Sequence, residues 1–243
     1  MSYHLAYGMK YGQDTRVAVA LSQTPTSFYA GNPALGQAVN SSTASNMLLG
    51  VTHKLNESWT GGVSVGQLSE KSGILGASYQ ENSVLSLGAN HTTSLGLSLG
   101  YSFNAYNSLL AEAGFGFTKA ASGGGLLAGT TDIQSRSYGM TFLSKHLITK
   151  DDTLAISVKQ PLRIVSGKVG VITTGIDDAG VALYSTEMTS LVPTGHERDF
   201  KMAYDTPLKK NQSLSLQLSA RQDVMNVAGS RDASVGAIWS SRF

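Results

Sequence analysis

The last twelve residues of the chain, 232–243, alternate in polarity with a period of two. In steps of two from the carboxyl end, one set is Phe243, Ser241, Trp239, Ala237 and Val235. Four of these five residues are apolar, and the set between them is mostly small or polar. Alternation of this kind predicts an extended strand with two unlike faces.

A terminal aromatic residue on such a strand is typical of outer-membrane barrels, whose last strand closes the barrel and places its aromatic side chain at the interface girdle. It also resembles the signal that the barrel-assembly machinery recognises. We therefore assign Val235, Ala237, Trp239 and Phe243 to an assembly signal. The alternative is the last strand of a soluble sandwich or barrel.

Composition agrees with a membrane barrel. Charged residues make up 14% of the chain, against roughly 25% in soluble domains. The absence of Cys excludes disulfide and thiolate–metal chemistry, and a net charge of +2 is too small to indicate nucleic acid binding. No run approaches the ~18 apolar residues of a transmembrane helix. The first residues do not form a signal peptide, so an export signal is expected on a preceding segment.

Connection lengths between the alternating stretches favour the same fold. Turns are short near 12–15, 56–58, 104–107, 149–152 and 207–211, and connections are long at 24–43, 70–92, 119–131, 165–195 and 222–231. Short turns at one end and long loops at the other are typical of outer-membrane barrels, with the short turns periplasmic. The stretches number 11 or 13, depending on 70–92. Since bacterial barrels have even numbers, we predict one domain, 1–243, forming an all-β, antiparallel, up-and-down transmembrane β-barrel of about 12 strands in the bacterial outer membrane.

Several segments of the last third resemble the barrel domain of subtilisin-type autotransporters. They are Lys159-Gln-Pro-Leu-Arg-Ile-Val-Ser-Gly167, Leu191-Val-Pro-Thr-Gly-His-Glu-Arg-Asp199, Ala203-Tyr-Asp-Thr-Pro-Leu208 and Arg221-Gln-Asp-Val-Met-Asn-Val-Ala-Gly229. Tyr7-Gly-Met-Lys-Tyr-Gly12 fits more loosely. The resemblance implies a 12-strand translocator that passes a passenger polypeptide to the cell surface. The implied partners are outer-membrane lipid and lipopolysaccharide, the barrel-assembly machinery, and a passenger or partner protein in or above the lumen, with no cofactor and no nucleic acid.

Alternation also assigns side chains to the two faces of the predicted barrel. Lipid-facing positions include Trp239, Leu216, Met202, Phe142, Phe115 and Leu97. Charged residues at the alternate positions of these strands, which have the opposite parity, are expected in the lumen. Placing a Lys or Arg side chain at the bilayer midplane would destabilise the barrel by roughly 2–4 kcal/mol. These charges are Glu112, Lys159, Arg163, Asp199, Lys201, Asp205, Arg221 and Arg242. With five cations against Asp199 and Asp205, the wall of the last four strands is predicted to be net positive. The charges either line a channel or are solvated and partly paired.

Two stretches match the G-x-S-x-G pattern of hydrolases, Gly62-Val-Ser-Val-Gly66 and Gly96-Leu-Ser-Leu-Gly100. The hydrolase motif needs a strand-to-helix elbow, whereas both copies lie in alternating stretches. The five His residues are scattered, so we expect no metal site, and the acidic pairs at 151–152 and 177–178 are expected in turns.

Three functions remain open. The first is an autotransporter translocator without enzymatic activity, which exports or anchors a passenger. The second is a free-standing pore or the membrane anchor of a larger surface assembly. The third is an outer-membrane hydrolase that uses Ser64 or Ser98.

Overall fold

The described residues form one large antiparallel sheet of eleven strands. The structure is a computed structural model and describes residues 3–26, 42–71, 73–74, 77–78, 85–209 and 211–241. Arg242 and Phe243 of the predicted sites lie outside the described residues.

Long strands with alternating polarity build this sheet. They are β1 (Tyr3–Tyr11), β2 (Thr15–Thr26), β3 (Ser42–Lys54), β4 (Trp59–Glu70), β8 (Asn90–Ser102), β9 (Asn107–Thr118), β12 (Ile133–Lys145), β13 (Thr153–Ser166), β16 (Arg198–Lys209), β17 (Gln212–Gln222) and β18 (Arg231–Ser241). Shorter strands lie in the connections. They are β5 (Gly73–Ile74), β6 (Ala77–Ser78), β7 (Leu85–Leu87), β10 (Gly123–Gly125), β11 (Leu127–Thr130), β14 (Lys168–Ile176) and β15 (Ala182–Ser190). A 3-10 turn spans Val224–Asn226.

The large sheet is an up-and-down meander, because its spatial order follows the chain once the short strands are set aside. The expected neighbours β13, β16, β17 and β18 are adjacent, which confirms that part of the prediction. In the described part of the chain, β1 and β18 each pair with one strand only, so the sheet has two open edges. Since all pairings are antiparallel and the strands number eleven, β1 and β18 run in the same direction.

Within the described residues the connections alternate in length as predicted, whereas most of the predicted long connection at 24–43 lies outside them. The short ones lie at 12–14, 55–58, 103–106 and 146–152, and another joins β16 to β17. The long ones lie at the opposite end of the sheet, where the hairpin β14–β15 occupies most of 167–197. The long connection predicted at 165–195 therefore contains an extended hairpin. We refer to the two ends as the short-connection end and the long-connection end.

The two faces of the sheet differ in chemistry. The apolar face carries the six residues predicted to face lipid, and cross-strand register joins Phe142, Met202, Leu218 and Val235 in one row. Many of its large side chains are exposed, including Leu97 at 44% and Trp239 at 59%. The polar face carries Gly, Ser and the charged residues of the strands, such as Ser64, Gly96 and Lys159.

A small apolar cluster lies among the loops of the long-connection end. Leu87, Leu127 and Ile133 are buried there, and Ile164, Val169, Val171 and Leu191 pack against them. Backbone hydrogen bonds tie the same loops together, for example from Ile172 N–H to the Leu126 carbonyl and from Thr131 N–H to the Lys168 carbonyl. The buried apolar cluster thus stabilises the loops, whereas the large apolar side chains of the sheet remain exposed.

Candidate functional site

A row of charged residues crosses the polar face in cross-strand register. Glu112 on β9 is opposite Gly139 on β12, and Gly139 is opposite Lys159 on β13. The same row continues through β16, β17 and β18 with Asp199, Arg221 and Asp232. We call Glu112, Lys159, Asp199, Arg221 and Asp232 the charged row; its signs alternate along the row.

Glycine at position 139 lets two members of the row meet across an intervening strand. Lys159 Nζ lies 3.3 Å from Glu112 Oε2. A Cβ atom at Gly139 would lie 2.8 Å from Lys159 Cγ, so the lysine side chain passes close over this glycine. Both side chains are nearly half exposed, so water screens the pair and its contribution to stability is small.

Two further ion pairs join the other members of the row. Arg221 pairs with Asp232, and Lys201 Nζ lies 3.9 Å from Asp199 Oδ2. The second carboxylate oxygen of Asp199 is buried without a hydrogen-bond partner among the described residues. Lys201 and Asp205 lie on the same face, two and six residues along β16 from Asp199.

A β-bulge turns Arg163 away from the polar face that carries the charged row. Simple alternation places Arg163 on the face of Lys159, but the register shifts between Arg136 and Tyr138 on β12, so that Arg136 is opposite Arg163 and Tyr138 is opposite Gln160. One extra residue on β13 reverses the alternation beyond the bulge. Arg163 is buried, and its guanidinium donates hydrogen bonds of 3.0 Å to the carbonyl oxygens of Gly195 and Pro193. It therefore connects β13 to the loop before β16.

In the described residues of the last four strands, the polar face carries as many cations as anions; Arg242, the fifth cation of the predicted set, lies outside those residues, so the net positive wall stays a prediction. Among the described residues its cations are Lys159, Lys201 and Arg221, and its anions are Asp199, Asp205 and Asp232. Asp232 was absent from the predicted set, although it shares the parity of Ser234 and Ser240 and period-two counting along β18 identifies it.

The neighbouring half of the polar face has small side chains and encloses space. A cavity of about 590 Å³ is lined on this face by Gly62, Ser64, Ser98, Glu112 and Lys159, among others. The two G-x-S-x-G stretches lie side by side here, since Gly62 is opposite Ser98 and Ser64 is opposite Gly96. Both are in mid-strand, not at a strand-to-helix elbow, so each serine lies against the glycine of the other stretch.

The same fit of serine against glycine recurs further along β4 and β8 and again on β9 and β12. A Cβ atom at Gly66 would lie 2.5 Å from Ser94 Oγ, and one at Gly114 would lie 2.6 Å from Ser137 Oγ. Ser135 Oγ lies over Gly116 in the same way and is buried without a hydrogen-bond partner among the described residues. These glycines therefore let the serines lie close to the sheet.

The apolar face carries the described residues of the predicted assembly signal. Val235, Ala237 and Trp239 are opposite Leu218, Leu216 and Leu214 of β17.

At the short-connection end of the sheet, aromatic rings lie close together. The ring centroids of Trp59 and Tyr101 are 4.6 Å apart, and Phe103 lies 4.9 Å from Tyr101.

Aspartates organise connections at both ends. At the short-connection end, Asp152 accepts hydrogen bonds of 2.6–2.7 Å from the backbone N–H groups of Leu147, Ile148 and Thr149, and one of 2.8 Å from Tyr204 Oη. Burial acts to raise the pKa of Asp152, but these hydrogen bonds outweigh it and lower the pKa to about 2.

At the long-connection end, Asp223 joins two loops. Its carboxylate accepts hydrogen bonds from the backbone N–H groups of His196 and Gly229, at 3.0 and 2.8 Å, which lower the pKa of Asp223. Asp223, Met225 and Asn226 all have positive φ angles of 51–60°, so this turn has a strained backbone that the hydrogen bonds hold in place.

Neither a metal site nor a membrane-spanning helix is found in the part of the chain that the structure describes. No group of three or more His, Asp or Glu residues is arranged to hold a metal ion there. None of the helical segments described has the length and apolar character to cross a membrane. The chain matches no protein-family model, and it matches no curated protein.

Proposed function

We propose that the chain is a transmembrane β-barrel of the bacterial outer membrane that serves as the translocator of an autotransporter-like protein and carries out no bond chemistry of its own. The observation that carries this proposal is the exposed apolar face of the eleven-strand sheet. Burying apolar side chains is the main driving force of folding in water. In a soluble sandwich a second layer would cover this face, whereas in a barrel lipid covers it.

Closure of the proposed barrel needs one strand more than the eleven that the sheet contains. Since β1 and β18 run in the same direction, pairing them directly would be parallel, whereas membrane barrels of bacteria are antiparallel and have even strand numbers. A twelfth strand placed between them is antiparallel to both. The closed form is then the predicted 12-strand barrel, with the polar face inside.

The interior supports passage or anchoring of a polypeptide. Its glycine- and serine-lined half leaves room beside the charged row. It carries both cations and anions, so an extended chain of either sign meets partners. The segments around 159–167 and 191–229 that resemble subtilisin-type autotransporters form much of this wall and the loops above it.

Surface display tests the proposal directly. A periplasmic export signal and an epitope are joined ahead of residue 1, and protease access to the epitope is measured on intact cells. We expect a surface-exposed epitope and a heat-modifiable barrel in the outer membrane. As a control, Leu97→Lys on the apolar face should abolish both, while Ser98→Lys on the polar face should preserve the barrel.

The second candidate, a free-standing pore or membrane anchor, is favoured by the cavity beside the charged row. In the same experiment it predicts a folded outer-membrane barrel with the epitope left in the periplasm. Absence of any membrane-inserted barrel contradicts both candidates.

A further inference from the structure

At the long-connection end, the last cross-strand row of the apolar face contains cationic side chains. Arg198 on β16 is opposite Gln222 on β17, and Gln222 is opposite Arg231 on β18. We call Arg198, Gln222 and Arg231 the rim triad. All three side chains are exposed. With strands about 4.8 Å apart, the two arginines start roughly 10 Å apart on the same face.

The face of the sheet on which the cationic residues lie differs between its two ends. At the short-connection end, Lys10, Arg16, Lys54 and Lys145 all have the parity of the polar face. At the long-connection end, Arg136, Arg198 and Arg231 have the parity of the apolar face. Of these seven residues, the three with outward parity all lie at the long-connection end, where the apolar surface stops.

The rim arginines form no close ion pair with the described acidic residues, although the charge of Arg198 helps to lower the pKa of the nearby Asp223. Neither Arg198 nor Arg231 takes part in an ion pair with a described residue. The nearby carboxylate of Asp223 is held by backbone N–H groups. The aspartates that follow the two arginines, Asp199 and Asp232, point to the polar face and pair with Lys201 and Arg221 there.

Small apolar residues lie directly below the rim triad. The next row of the same face is Phe200, Ala220 and Ala233. Met202, Leu218 and Val235 form the row after it. The two alanines make a shallow trough beside Phe200 that leads from the cations onto the apolar face.

A ligand that fits this arrangement has an anionic head continuous with an apolar tail. The guanidinium group donates fork-shaped hydrogen bonds that match phosphate oxygens, and the amide of Gln222 adds a donor between the two forks. Basic residues next to a membrane-embedded surface attract acidic lipid headgroups.

We propose that the rim triad binds the phosphate groups of a lipid headgroup and that the alanine trough takes the first part of an acyl chain. This inference rests on the proposed membrane location. It specifies the long-connection end as the end that faces the leaflet containing lipid A.

The test uses the full chain in phosphatidylcholine vesicles that contain a small fraction of bisphosphorylated lipid A, with lipid association read by fluorescence quenching from a labelled lipid A. At about 1 kcal/mol for each basic residue near the surface, the Arg198→Gln/Arg231→Gln variant should bind about 30-fold more weakly. The control Lys54→Gln/Lys145→Gln removes the same charge at the other end and should change binding less than twofold. The variant Arg198→Lys/Arg231→Lys keeps the charge but loses the bidentate hydrogen-bond geometry of the guanidinium groups. Its affinity for lipid A should lie between those of the other two variants.

Two further arms identify the ligand. Monophosphorylated lipid A should bind more weakly than the bisphosphorylated form, and millimolar inorganic phosphate should not displace the lipid. Full displacement by inorganic phosphate would overturn the lipid assignment in favour of a free anion. Equal binding by the wild type and the Gln variant, in barrels shown to be inserted by resistance to urea extraction, overturns the inference and leaves the proposed function standing. Failure of the wild type to insert at all overturns the proposed function.

Discussion

Lys159 Nζ lies 3.3 Å from Glu112 Oε2, although β12 runs between the strands that carry them. The contact depends on Gly139, because a side chain there would collide with Lys159 at Cβ and Cγ, the stiff near end of the lysine. A single glycine thus lets charges two strands apart form one row.

We expect Gly139→Val to destabilise the barrel by roughly 1–3 kcal/mol, since it overpacks a filled position. Gly236→Val is the matched control, because Gly236 is also in a strand on the polar face but has open space at its Cβ position. Its effect should be close to zero. Urea unfolding followed by tryptophan fluorescence measures both variants, and equal midpoints would contradict the steric role of Gly139.

The cross-strand pair Ser64 and Gly96 allows an exchange experiment. Gly96→Ser alone places two side chains where one fits and should cost roughly 1–3 kcal/mol. Adding Ser64→Gly returns one serine and one glycine to directly opposite positions, and most of the stability should recover. Additive losses in the double variant would show that the two positions act independently.

Acid unfolding should depend on Asp152. Its folded-state pKa of about 2 lies below the ordinary 3.8, so the carboxylate favours the folded state above pH 3.8 and loses this effect as the pH falls toward 2. Asp152→Asn should therefore unfold at lower urea concentration than the wild type at pH 5, with the difference shrinking toward pH 2.

The adjacent Asp151→Asn carries the same charge change without the three backbone hydrogen bonds and serves as the control. If the difference in urea unfolding midpoint between Asp152→Asn and the wild type stays constant from pH 5 to pH 2, the stabilising role of the Asp152 carboxylate is contradicted.

Period-two alternation was sufficient to predict the long strands and most of their faces. Leu95, Leu97, Leu99 and Tyr101 alternate without interruption, and β8 spans them. Alternation is a local property, because each side chain's face follows from its own strand. For the same reason the parity of Lys159, Asp199 and Arg221 sufficed to place them on one wall.

Counting in steps of two did not predict features that depend on pairing between strands. The bulge that turns Arg163 away from the wall lies at residues 161–162 in the register of β13 against β12. Pro161 is the local signal for it, because a proline cannot donate a ladder hydrogen bond and is found in strands mainly at edges and bulges. The pairing of β11 with β14 and of β7 with β10 joins loops far apart in sequence, so local patterns could not predict it. The hydrogen bonds of Arg163 with Pro193 and Gly195 are long-range in the same sense.

Adjacent residues on β8 test which face meets lipid. Leu97→Lys should cost about 2–4 kcal/mol if its side chain lies near the bilayer midplane, whereas Ser98→Lys places the same group on the polar face, where water is present. Folding yield in phosphatidylcholine vesicles, read from heat-modifiable migration, should fall for Leu97→Lys only. Equal yields would contradict the outward orientation of the apolar face.

The charged row should set the ion preference of a conducting barrel. The reference is the reversal potential of the wild type in a salt gradient across a planar bilayer, where Lys159 and Arg221 are each paired with an acid. Glu112→Gln combined with Asp232→Asn leaves Lys159 and Arg221 without their partners and should move the potential toward that of the anion, since a narrow interior screens charge less than bulk water. Lys159→Gln combined with Arg221→Gln should move it the opposite way by a similar amount. If neither pair of substitutions shifts the potential in barrels that conduct, ions do not pass along the charged row.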